Sequence, residues 1–323
     1  MTTATATRAE GAVSEVTARA DAFVGARLEQ AAALGRDLVA ELGDPVTFVT
    51  TLAIGLQALP DPVYREAQAW VAPGARGMIG VRWPLVQAIE RGLRRPLAAA
   101  SPAVAIYLAD ALSRDERFEV RLFSHVPLRR SLADDPERSW QIVRRLARAA
   151  SDWISVDALA GIVAKGLLLE PFRWAEIEQL VYSPHRWERR LAASTLAEVP
   201  HRLPRARRSS LAGRPGLAIV AELIGDDDSD VQRALSWALR SWRQVDPEGV
   251  AELLRGETSR ALETGDGARA WVLRDALTGS GADADLAAEL RPRLAGLRRR
   301  PGAGNTSRAF AAAAAFAGTE PRA

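Results

Sequence analysis

Apolar residues recur at helical spacing along nearly the whole chain, and few runs alternate as strands do. That spacing predicts helices over residues 13–42, 46–59, 64–71, 84–94, 103–113, 116–132 and 136–150, separated by short Pro, Gly or Asp breaks. Three later segments carry more detail. Over 152–168, Val156, Leu159, Ala160, Val163 and Leu167 form an apolar stripe. Trp153 and Asp157, four residues apart, are neighbours on one side of that helix, at the edge of the stripe. Over 186–198, Leu191, Ala192, Thr195 and Leu196 share one side and Arg186 and Arg190 the other, which predicts an outward-facing Arg190. The third segment opens on Asp226, Asp227, Asp228 and Asp230, suited to a helix N-terminus. It then buries Val231, Ala234, Leu235, Ala238 and Trp242, while Trp237 falls with Arg233 and Arg240 on the polar side.

Paired helices of this length, with chemistry recurring at one edge, predict an all-α protein. The expected architecture is an α-solenoid of helical repeats whose concave face binds something long. Residues 1–44 read as a helical extension, 45–297 as the repeat domain, and 298–323 as a flexible Ala-rich tail.

Composition narrows the classes. The chain has 323 residues, 48% hydrophobic and 26% charged, ordinary for a globular protein. It has no cysteine, so disulfides and thiolate metal sites are excluded. Arg8, Glu10, Glu15, Arg19 and Asp21 interrupt any signal-peptide core, and no apolar run approaches a membrane span, so a cytoplasmic location is the default expectation. The net charge is +3 and Lys165 is the sole lysine among 43 basic residues, a bias that GC-rich coding can also produce. Distribution says more: between Arg144 and Arg214 positive residues outnumber negative ones. The Pro-punctuated stretch with Arg202, Arg205, Arg207, Arg208 and Arg214 is a candidate phosphate-contact surface, against the alternative of a merely solvated loop.

The candidate chemistry rests on Trp153, Asp157, Arg190 and Trp237. Together they pair a carboxylate and a cation with aromatic faces, which suits a site that holds DNA and stabilises positive charge on a sugar ring. Other chemistries have little support. His125, His185 and His201 lack metal-ligand spacing. Gly74, Gly77 and Gly80 follow no strand and precede no lysine, unlike a phosphate loop. The Asp226–Asp230 run lacks calcium-loop spacing and reads as a cap.

Four stretches in order carry a family resemblance: Gly80-Val-Arg-Trp-Pro84, Ser151-Asp-Trp-Ile-Ser-Val-Asp157, Trp187-Glu-Arg-Arg190-Leu-Ala-Ala193, and Val231 to Arg240 followed by Asp246-Pro247. Over roughly Pro45 to Leu254 the chain resembles the AlkD family of DNA glycosylases, alkylation-repair enzymes built from HEAT-like repeats. The resemblance implies that Asp157 is the catalytic carboxylate, that Trp153 and Trp237 wall the active site, and that Arg190 holds the DNA backbone beside the lesion. It implies further that the base stays stacked while the enzyme works on the sugar. The chain departs from the family at Asp152, often aromatic there, and at Trp70 or Val71, where the family has a tyrosine.

A purine alkylated at N3 or N7 is cationic and already a good leaving group, so one carboxylate that stabilises an oxocarbenium-like sugar and positions water suffices. The expected activity is therefore excision of such bases (3-methyladenine, 7-methylguanine, and by extension bulky adducts) from duplex DNA by a monomer, with no cofactor or metal. Arg186, Arg189, Arg233, Arg240, Arg205, Arg207 and Arg208 are the candidate DNA contacts. The rival expectation is a non-catalytic HEAT-repeat module that binds damaged or branched DNA, or a protein, through the same face.

Overall fold

A computed structural model describes the backbone of residues 2–279 and 281–317, with side chains over 15–279 and 281–316. Among the described residues there are seventeen α-helices, three short 3-10 turns and no strand, consistent with an α-solenoid of helical repeats. No single helix among them is long and apolar enough to cross a membrane. The chain divides into two compact units, Met1–Ile142 and Val143–Ala323.

The first unit holds α1 (Thr2–Asp37), α2 (Pro45–Gln57), α3 (Pro62–Val71), α4 (Trp83–Ala99), α5 (Pro102–Ser113), α6 (Phe118–Leu122), α7 (His125–Ser131) and the start of α8 (Pro136–Ala149). Asp44, Asp61 and Ser101 cap α2, α3 and α5 through their side chains, each followed by a proline at the first helical position, where no N–H is needed. Within the stretch 1–44, residues 23–42 join this core. α1 packs along α4, and its Ala31 joins Leu38, Phe48, Leu52, Leu85 and Ile89, all fully buried.

The helix expected over 116–132 is two short ones that turn at Phe123 and Ser124. Pro127 has no N–H to offer the Phe123 carbonyl, so the hydrogen-bond ladder cannot run through that point. The Gly80–Pro84 turn ahead of α4 is held by the buried Glu119. Its carboxylate accepts from the backbone N–H groups of Ile79 (2.8 Å), Gly80 (2.6 Å) and Val81 (3.0 Å). Gly80 sits at φ +94°, and a Cβ there would meet Arg65 Cβ at 2.5 Å, so both conformation and space demand glycine. Trp70, at the end of α3, is 84% exposed.

The second unit holds α9 (Trp153–Leu169), α10 (Arg173–Leu180), α11 (Arg186–Glu198), α12 (Gly216–Leu223), α13 (Ser229–Trp242), α14 (Pro247–Thr264), α15 (Gly267–Ala276), α16 (Ala284–Leu294) and α17 (Arg308–Ala317). α9, α11, α13 and α15 pack side by side as one layer, with α10, α12, α14 and α16 behind them. The apolar stripes expected of α9 and α13 are buried, Trp242 included. The Trp242 indole N–H donates to the Leu196 carbonyl at 2.9 Å, joining the ends of α13 and α11. Gly216 makes room for that indole: a Cβ would lie 1.9 Å from the Trp242 ring.

The segment read as a flexible tail is anchored up to α17. The Thr306 N–H donates to the Gly225 carbonyl, Arg308 pairs with Glu257 at 2.6 Å, and Ala309 is fully buried against α12. Residues 318–323 of that segment lie outside the described residues.

Candidate active site

The first turns of α9, α11 and α13 meet at one edge of the second unit. α9 starts at Trp153 because Asp152 caps it, accepting from the Ser155 N–H (2.8 Å) and hydroxyl (2.9 Å). The departure at Asp152 is therefore a helix cap rather than a wall of the site. α13 starts after Asp228, which accepts from Asp230 N–H (2.8 Å) and Val231 N–H (3.2 Å), as its acidic opening predicts. Both starts are thus fixed by local hydrogen bonds, which set the helical positions of the residues that follow.

Arg190, one turn into α11, joins the three helices. Its Nε donates to Asp157 Oδ1 at 3.1 Å and its Nη2 to Oδ2 at 2.6 Å, a two-pronged charge-assisted contact. Its Nη1 donates to the Asp230 carbonyl in the first turn of α13. The guanidinium carbon lies 5.8 Å from the Trp153 ring centroid, within reach of the ring's negative face. Ser194, one turn further along α11, donates its hydroxyl to Asp157 Oδ1 at 2.6 Å.

This corrects the outward-facing Arg190: the residue is 5% exposed. The reason is packing on both sides. α11 is flanked by α9 and α13, so the face opposite its apolar stripe meets a neighbouring helix rather than water. Arg190 and Ser194 form the polar line of that second buried face, and Asp157 answers it from α9. Ser194 escaped the sequence reading. The signal was present, since it lies four residues after Arg190 on the same side.

Asp157 is the partly open member, its side chain 20% exposed against 6% for Arg190. Trp153 is half-buried beside it. Trp237 is also half-buried, not the fully displayed plane that helical spacing suggested. It lies seven residues after Asp230 and therefore on the same face, about 10 Å along the helix. Its two expected companions behave differently: Arg240 turns away to Asp275 on α15, whereas Arg233 is 65% exposed and 3.5 Å from Asp230.

The candidate DNA contacts likewise divide by their partners. Arg189 is spent internally, donating to Asp226 (2.6 Å) and to the carbonyls of Ser183 and Pro184, and is 13% exposed. Burial pushes the Asp226 carboxyl up from its ordinary value, and the Arg189 hydrogen bonds and charge oppose that shift. Arg208 is engaged with the Leu203 carbonyl and Gln244. Arg186 is half-exposed, stacked on Trp187 and 3.3 Å from Asp228. Arg205 and Arg207 are exposed in the 3-10 turn Arg205–Leu211. Arg186, Arg205, Arg207 and Arg233 are therefore the members of the set that remain open to solvent.

This arrangement presents a shielded carboxylate, fixed by a cation and a hydroxyl and bordered by an indole, with a route to solvent. A solved structure of a predicted DNA alkylation repair enzyme from Enterococcus faecalis shares the fold, with a TM-score of 0.50 and 16% identity, over 61% of this chain and 90% of that one. No curated protein matches the sequence. The family model described as DNA alkylation repair enzyme matches residues 52–278, which include α9, α11 and α13 in full. By that match over most of its length, the chain belongs to the family of DNA alkylation repair enzymes.

Proposed function

We propose that the protein is a DNA glycosylase that hydrolyses the bond between deoxyribose C1′ and a cationic N3- or N7-alkylated purine in duplex DNA. The single observation that carries this reading is Asp157: a partly open carboxylate whose orientation is fixed by Arg190 and Ser194. An alkylated purine leaves with the electron pair of its glycosidic bond and becomes neutral as it goes, so no acid need protonate it. The demand falls on the sugar, which turns oxocarbenium-like as the bond lengthens. A fixed carboxylate at its edge stabilises that charge with little reorganisation, orients the incoming water and takes up its proton.

Trp153 adds its negative ring face to the same cation, and Trp237 is proposed to bound the site from α13. Arg190 already makes hydrogen bonds to Asp157 and Asp230 in the free protein. Its first role is therefore to aim the carboxylate, and contact with the DNA backbone would come as the duplex arrives. Arg186, Arg233, Arg205 and Arg207 supply the phosphate contacts that hold the duplex.

The competing reading, a repeat module that binds DNA without chemistry, accounts for Asp157 as the counter-charge of Arg190 but not for its opening to solvent, because an acid beside a phosphate groove weakens binding. The test is base release from a methylated duplex, followed by chromatography of the freed bases. Release of 7-methylguanine or 3-methyladenine, leaving abasic sites, is the expected result. Tight duplex binding with no base freed would establish the module instead.

A further inference from the structure

We propose that Ser194 is a positioning residue which settles which oxygen of Asp157 faces the sugar; the inference rests on the glycosylase reading above. Buried serines and threonines in helices ordinarily turn back to a carbonyl of their own helix. Among the buried ones of this protein Ser131, Ser139 and Ser236 do so, donating to the carbonyls of Leu128, Asp135 and Arg233. Ser194 does not. Fully buried on α11, it reaches across to α9 and gives its proton to Asp157 Oδ1 at 2.6 Å.

The acceptor inventory makes this consequential. A carboxylate has about two acceptor directions on each oxygen. Oδ1 takes Ser194 and Arg190 Nε, which fills it, whereas Oδ2 takes Arg190 Nη2 and keeps one direction open. Arg190 fixes the carboxylate plane, and Ser194 breaks the equivalence of its two oxygens. Oδ2 is thereby left to meet the developing positive charge at C1′ and to accept the proton of the attacking water. Without the hydroxyl, water takes its place on Oδ1, and the carboxylate loses its preferred approach.

The experiment is single-turnover release of 7-methylguanine from methylated duplex DNA at saturating protein, by wild type, Ser194→Ala, Asp157→Asn and the double variant. Duplex affinity and thermal midpoint are measured alongside. Ser194→Ala is expected to slow release about tenfold with affinity unchanged, the size of one hydrogen bond to a charged group. In the Asp157→Asn background the same change is expected to do nothing more, because Ser194 acts through the carboxylate. A Ser194→Ala rate equal to wild type overturns the inference and leaves the glycosylase reading standing, as does an equal further loss in the Asn background. Absence of release by the wild type itself removes both.

Discussion

The second unit contains two buried arginines, Arg190 and Arg269, each paired with a carboxylate, and the pairs differ in one respect. Between α14 and α15, Arg269 meets Glu257 and Asp266 (3.2 Å), and Arg308 adds a second cation to Glu257 at 2.6 Å. Each nitrogen of Arg269 and each carboxylate oxygen of Glu257 has a partner there, their side chains are 1% and 2% exposed, and burial beside Arg308 pulls Arg269 down to about 10. Between α9 and α11, Arg190 is nearly as buried, yet Asp157 remains 20% exposed with an acceptor direction to spare. A closed pair ties helices together and anchors the C-terminal segment. A pair open on its carboxylate side can act on something that arrives.

The largest effect on stability is therefore expected at the closed pair. Glu257→Gln leaves Arg269 short of a buried counter-charge and should cost about 3–5 kcal/mol in urea denaturation. Base release by the fraction still folded should be unaffected, and a loss of release beyond the loss of fold would erase the distinction between the two pairs. Asp157→Asn is expected to cost no more than about 2 kcal/mol, since water already reaches that carboxylate and the amide oxygen still accepts from Arg190. The smallest effects belong to the periphery. Arg205→Ala and Arg207→Ala should each lower the slope of log affinity against log salt by about one, with release at saturating protein unchanged. An unchanged slope would place the DNA away from the 3-10 turn.

Much of the fold was legible because most helices bury one stripe. α9 and α13 follow that rule, and their apolar spacing located Trp153, Asp157 and the Trp242 core contact. The reading failed where burial has two sides. In α11 the second face is also covered, so Arg190 and Ser194, polar by residue type, lie in the interior where the periodicity of one helix points to solvent. Periodicity within one helix carries no information about a neighbour that packs on its polar side. The same holds for Arg189 and Arg240, whose partners Asp226 and Asp275 come from the loop before α13 and from α15. The segment after residue 297 was obscured by its composition. Alanine-rich stretches give no stripe to read, and the contacts that secure α17 are made by Thr306 and Arg308 just before and at its start.

The central claim is that the Asp157 carboxylate acts on the sugar. It is tested most directly by timing 7-methylguanine release from methylated duplex DNA under single-turnover conditions, with wild type and Asp157→Asn each saturating the duplex. The account predicts at least about a hundredfold slower release by Asp157→Asn at equal occupancy of the DNA. Release at the wild-type rate by the folded, DNA-bound variant would contradict it.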